Sequence, residues 1–267
     1  MIGRLWAALA FVVIGLLGLE AAASCLPVAS RPSLLHQASY GRFGPRGDIP
    51  ENHVGVTFLG HASFLLETHQ GVTAVTDYND YHRPSRPPTI VTMNIAHSTH
   101  WTDAIEPEVK HILRGWDPKG GEAVHTVREK DMTVRNVVTN IRDWGGGTRR
   151  FGNSIFVFET AEMCLAHLGH LHHELSPVQL TELGKIDVLF VPVDGAYTLD
   201  QEAMSRVIGQ IKPSVIIPMH YFGDATLNRF LGEFGSRYTV RRNDTPFTLL
   251  SRARLPRGGE ILVLPGS

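Results

Sequence analysis

Two runs in the second half of the chain, residues 187–193 and 215–219, are almost unbroken stretches of apolar side chains. A strand of this kind is buried on both faces, which requires a sheet with packing partners above and below it. Residues 200–211, between the two runs, carry a helical pattern. A second helix is predicted over residues 176–184, with Ser176 as N-cap, Pro177 at the first helical position and Gly184 as the stop. The first half reads differently. Residues 54–58, 63–67 and 72–77 are short β-rich runs split by Gly60 and Gly71. Further strands are expected at 90–93, 132–138, 153–159 and 163–167, the last two as a hairpin. Residues 103–128 show no clear period. A short helix near 225–234 and strands near 247–250 and 260–264 complete the chain. Strands dominate early and alternate with helices later. Two sheets packed face to face with helices outside satisfy this α/β order.

The ends of the predicted strands are marked by histidine. Of 14 histidines, His97 and His100 follow the strand at 90–93. His167, His170, His172 and His173 fall within seven residues at the end of another, and His220 ends the run at 215–219. Catalytic and ligand-binding groups are often presented at strand ends. Four imidazoles in so short a stretch are hard to bury unless every ring nitrogen finds a partner. Neutral imidazole is the commonest metal ligand, so a shared metal site is the expectation. Arg142, Arg149 and Arg150 flank the Gly-rich segment 145–147 and could contact an anion, but a solvated loop is the simpler reading. The net charge of −1 offers no basic field, so nucleic acid is not an expected partner.

The N-terminus reads as an export leader. Arg4 precedes an uncharged apolar run over 5–19, and Ala21, Ala22, Ala23 and Ser24 supply the small residues of a cleavage site. Residues 1–24 are therefore expected to be a signal peptide, with an uncleaved anchor as the alternative. Residues 25–52 are expected to form an irregular arm, and 53–267 the folded domain. An exported location follows, periplasmic or anchored on the outer side of a membrane through the leader or a lipid on Cys25. Plain cleavage is preferred because Ala22 makes a weak lipidation signal. Cys164, inside an apolar strand pattern, reads as a small buried hydrophobe, and two cysteines alone suggest no disulfide framework.

Several segments together resemble a known family. Leu59-Gly60-His61-Ala62-Ser63-Phe64-Leu65-Leu66-Glu67, Thr76-Asp77 and the 97–100 cluster are similar to the N-terminal half of metallo-β-lactamase superfamily hydrolases. His167-Leu168-Gly169-His170 and Ile217-Pro218-Met219-His220-Tyr221 are similar to their later motifs. The branch it most resembles holds the Zn-dependent hydrolases related to ascorbate-6-phosphate lactonase and N-acyl-phosphatidylethanolamine phospholipase D. The resemblance implies a four-layer αββα sandwich, one or two zinc or manganese ions, and a metal-bound hydroxide attacking an ester, lactone, amide or phosphodiester. The substrate it implies is a small molecule or lipid-like.

The family's His-x-His-x-Asp-His motif falls on residues 95–100, where Ile95 replaces the first histidine and Thr99 the aspartate. A histidine stands at position 170 where the family has a metal-bridging aspartate. These departures favour one ion over two. His97, His100, His170 and His220 are the expected ligands, with His61 and His167 as further ligands or their hydrogen-bond partners, and zinc suits such nitrogen donors better than manganese. Asp77, Asp194 and Asp103 are candidates for the water-orienting role of the missing aspartate, the first two being preferred. The alternatives to a hydrolase are a metal-binding protein without turnover, favoured by Ile95 and Thr99, and an exported partner-binding protein with incidental histidines.

Overall fold

The computed structural model describes residues 25, 48–143 and 145–266. The proposed leader and residues 26–47 of the arm lie outside the described residues. Among the described residues, fourteen strands form two sheets, accompanied by three α-helices. β1 (His53–Gly60), β2 (Ser63–Thr68), β3 (Thr73–Val75), β4 (Ile90–Met93) and β5 (His111–Arg114) join β13 (Phe247–Ser251) in a six-stranded sheet, in the order β13-β1-β2-β3-β4-β5. The eight-stranded sheet contains β6 (Thr126–Glu129), β7 (Met132–Arg142), β8 (Thr148–Thr160), β9 (Met163–His167), β10 (Val188–Pro192), β11 (Val215–Met219), β12 (Thr239–Arg242) and β14 (Glu260–Val263). Its order is β12-β14-β11-β10-β9-β8-β7-β6.

The two-residue period of a strand sorts each side chain into a layer. Phe156 and Phe158 of β8, Phe190 of β10 and Ile217 of β11 face the other sheet and pack with Val54, Val56, Phe64 and Leu66. Their neighbours Ile155, Val157, Leu189, Val191 and Ile216 face outward. There they pack under α1 (Pro177–Leu183), α2 (Gln201–Ile211) and α3 (Asp224–Phe234), through Leu183, Val207 and Phe230. β10 and β11 run parallel and are buried at every position, the arrangement their unbroken apolar runs require. The outer face of the six-stranded sheet packs a smaller cluster, with Val75, Val91 and Met93 under Tyr78, Val109 and Trp116 from irregular segments. This is the α/β sandwich that the resemblance implies.

Three strands had no clear sequence signal: β5, β6 and β12. Each is an edge strand of four residues. β12, Thr-Val-Arg-Arg, is exposed along its whole length. A short, charged edge is how sheets avoid pairing with other chains, and it erases the apolar alternation that reveals a strand. β7 and β8 also extend past their apolar parts into a long hairpin, with Asp143 and residues 145–147 between the two strands.

The cysteine reading needs correction. Cys25 and Cys164 form a disulfide, with Cα atoms 5.8 Å apart and a sequence separation of 139. Cys164 is buried as expected, but as half of a crosslink. Lys185 N–H donates to the Cys25 carbonyl at 2.9 Å, and Asp187 Oδ2 accepts from Cys164 N–H at 3.0 Å. Residue 25 is thus fastened beside the start of β9. A sulfur held in a disulfide is not free to carry a lipid.

Candidate metal centre

The strand ends converge along one rim of the sandwich. β1 ends at Gly60 and delivers His61. β3 leads into Asp77, and β4 into Asn94, His97 and His100. β9 ends at His167, β10 leads to Asp194, and β11 leads to His220. A backbone bond from His220 N–H to the His61 carbonyl, 2.7 Å, ties the two sheets together here. His61, Asp77 and His220 have φ of 51°, 42° and 55°. Each of these non-glycine residues in the left-handed region costs about 1 kcal/mol or more, a strain typical of functional sites. At Gly169 (φ +59°) a Cβ would lie 2.4 Å from Asn94 Nδ2 and 2.5 Å from Asn153 Oδ1, so only glycine turns the chain there.

His61, His97, His100 and His220 each offer one ring nitrogen, and these four atoms lie within 4.8 Å of one another. Nε2 of His61, Nε2 of His100 and both ring nitrogens of His220 are buried without a hydrogen-bond partner. Each such orphan costs about 1–3 kcal/mol when left unsatisfied. Orphaned imidazole nitrogens pointing at one another fit a cation that takes nitrogen donors. Burial, followed by the neighbouring His220, His97 and His82, pushes His61 down to about 3. Burial likewise lowers His97 and, much further, His100. These three rings are therefore neutral at neutral pH, the state a metal requires.

Both preferred carboxylates stand behind histidines instead of facing a substrate. Asp77 is fully buried, and burial pushes it up to about 6. It accepts from His100 Nδ1 at 2.5 Å and from Asn94 Nδ2 at 3.1 Å. This fixes the His100 tautomer and aims Nε2 inward. Asp194 Oδ1 lies 3.0 Å from His220 Nδ1, close but outside hydrogen-bond alignment. Burial opposes its charge. His220 and Thr198 outweigh that, together with the N–H groups of Ala196, Tyr197 and Thr198, and hold the carboxyl well below the usual range. The two carboxylates place negative charge behind the histidines. Neither is free to act as a base. Asp103 is exposed and pairs with Arg114 at 3.4 Å.

Two further histidines take other places. His167 spends both nitrogens on backbone, with Nε2 on the Ala62 carbonyl at 2.8 Å and Nδ1 accepting from Gly169 N–H at 3.2 Å. It clamps the β1–β2 turn to β9 and has no lone pair for a metal. His170 also stands outside the four-nitrogen group. Arg142 N–H donates to His172 Nδ1 at 2.7 Å, so neutral His172 carries its proton on Nε2 and donates to His170 Nδ1. His170 then carries its proton on Nε2, which faces His97 Nε2 at 3.1 Å, and His97 Nδ1–H donates to Thr99 Oγ1 at 2.8 Å. A cation drawn to His97 Nε2 competes with this His170 N–H. Thr99, at the family's aspartate position, thus orients His97.

Several residues of the site lacked any spacing signal. Asn94 Oδ1 accepts from Ser154 N–H at 2.8 Å, joining the two sheets behind Asp77. Asn153 Oδ1 accepts from His170 N–H at 2.8 Å. Asn79 Nδ2 donates to the carbonyls of Asp77 and Thr99 at 2.8 and 2.9 Å. Asparagine at a strand end is ordinary in sequence, and its bracing role emerges only from contacts between distant segments.

Comparison with known proteins places this site in a wider group. The family model described as the beta-lactamase superfamily domain matches residues 55–220, from β1 to the last of the four histidines. The UPF0173 metal-dependent hydrolase of Nanoarchaeum equitans is 24% identical over 184 residues, covering 62% of this chain and 83% of that one. A UPF0173 metal-dependent hydrolase of Carboxydothermus hydrogenoformans is 29% identical over 203 residues, covering 67% and 89%. Among solved structures, a protein of Thermotoga maritima described as a Zn-dependent hydrolase of the metallo-beta-lactamase superfamily superposes with a TM-score of 0.58 at 28% identity. It covers 79% of this chain and 98% of the other.

Proposed function

The chain belongs to the beta-lactamase superfamily, and from that premise we propose that it is an exported metal-dependent hydrolase with one divalent ion, zinc in preference to manganese, held by His61, His97, His100 and His220. The observation that carries this reading is the gathering of buried, unpartnered ring nitrogens of His61, His100 and His220 within 4.8 Å of one another and of a ring nitrogen of His97. When bound there, the ion supplies Lewis-acid polarisation and lowers the pKa of water toward about 7. The protein's own groups do the rest. Asp77 holds His100 in the tautomer that presents Nε2, Thr99 does the same for His97, and Asp194 stands by His220. The His170–His172 pair lines one wall of the adjoining cavity, where it can hold or pass a proton at His170 Nε2. An ester, lactone, amide or phosphodiester is the reaction class.

Export is supported by the disulfide, since such bonds persist in oxidising compartments and are rare in the cytosol. The placement of Asp77 and Asp194 behind their histidines favours a second reading, a metal-binding protein without turnover. A panel of esters, lactones and phosphodiesters separates the two. Turnover of any member that a chelator abolishes and added zinc restores supports the hydrolase. A zinc-loaded chain inert on the whole panel supports the second reading.

The orienting role of Asp77 has its own test. Asp77→Asn keeps an acceptor for His100 but removes the buried charge. Zinc affinity is expected to fall by about 10–100-fold, measured by competition with a chromogenic chelator. Unchanged affinity would show that Asp77 serves the fold alone.

A further inference from the structure

Arg142 and Arg149, which the sequence leaves as residues of a solvated loop, are part of a cavity. This cavity of about 380 Å³ opens beside the candidate centre, and His97, His170 and His172 form one side of it. That is a size suited to a small organic molecule. Ile95, Ile141 and Tyr197 supply apolar wall, and Arg142 and Arg149 come from the two arms of the β7–β8 hairpin. The two arginines do different work. Arg142 Nη2 donates to the carbonyls of Ala196, Tyr197 and Thr198, at 3.2, 3.1 and 2.7 Å, and so pins the loop that holds Asp194. No carboxylate neutralises it among the described residues. Arg149 is paired in register with Ile141 through its backbone, but its side chain has no hydrogen bond or ion pair among the described residues. The one acidic residue of the wall, Asp143, turns its Oδ1 to the N–H groups of Gly145 and Gly147, at 2.7 and 3.1 Å.

We propose that this cavity selects small organic anions: an apolar body lies against Ile95, Ile141 and Tyr197, and its carboxylate or phosphate is held by Arg149. This rests on the hydrolase reading only for what happens next, since the anion site is built from residues that hold no metal. A guanidinium with no partner among the described residues can form a forked pair with such a group. The neighbouring Arg142 charge adds to the attraction. An anionic group at Arg149 leaves the rest of the substrate lying toward His97.

Binding of phenylacetate and of its neutral analogue phenylacetamide to the full chain tests this. Calorimetry at low salt would use both zinc-loaded and chelator-treated protein. In both forms phenylacetate is expected to bind roughly five- to tenfold more tightly than the amide, an advantage that salt weakens. Arg149→Gln should erase the advantage, Arg149→Lys should keep part of it, and Arg150→Gln, whose side chain is outside the cavity wall, should leave it intact. Equal binding of acid and amide to the chelator-treated wild type would overturn the proposal, as would an advantage that survives in Arg149→Gln. A chain that takes up no metal yet prefers the acid would refute the metal reading alone.

Discussion

His220→Ala is expected to lower hydrolytic turnover by about 10³-fold or more, on whichever ester, lactone or phosphodiester the wild type cleaves. His220 is fully buried, neither of its ring nitrogens has a hydrogen-bond partner, and its ring centroid lies 4.2 Å from that of His61 and 5.2 Å from that of His100. Packing alone gives a polar ring no reason to sit there, whereas a shared cation does. Its backbone has φ 55°, which alanine tolerates poorly, so His220→Asn is the companion variant, because asparagine enters that region readily. Steady-state kinetics should show both variants inactive, with His220→Asn folded and melting close to the metal-free wild type. An active His220→Asn would remove His220 from the ligand set.

Loss of the Cys25–Cys164 bond is expected to destabilise the fold without touching the centre. Closing a loop of this length restricts the unfolded chain, and removing such a bond typically costs about 2–5 kcal/mol. For a domain of this size that corresponds to a fall in Tm of about 10 °C. Cys164 is near the start of β9 and His167 at its end, so the crosslink and the histidines lie at opposite ends of the strand. The Cys25→Ala/Cys164→Ala variant should melt lower yet bind zinc with unchanged affinity. A reductant should lower the wild-type Tm to a similar degree and leave the double variant unmoved. Equal melting of oxidised and reduced wild type would show that the bond adds nothing to the fold.

Short β-rich runs located β1, β2, β4 and β9, and unbroken apolar runs located β10 and β11, because the sandwich buries both faces of its central strands. The edge strands β5, β6 and β12 were silent for the opposite reason: water on one side removes the demand for an apolar pattern. His97, His100 and His220 were visible as histidines at strand ends, and His61 through its likeness to a family motif. The division of labour among them was not visible. Whether a ring faces an ion or a carbonyl depends on what the facing sheet offers, as with His167 and the Ala62 carbonyl 105 residues away. The disulfide was hidden for the same reason, since nothing near Cys25 in sequence hints at a partner 139 residues on. Asp77 and Asp194 were noticed as carboxylates near the motifs, but only the fold shows that each lies against a buried histidine, Asp77 on His100 and Asp194 beside His220.

Elemental analysis of the purified full chain, beside His100→Ala and His170→Ala, tests the central claim most directly. His100 Nε2 is an orphan backed by Asp77, whereas His170 holds its neighbours in line and offers no free lone pair. The account predicts about one divalent ion per wild-type chain, lost in His100→Ala and kept in His170→Ala. No metal in the wild type, or an ion that survives in His100→Ala and leaves with His170, would contradict it.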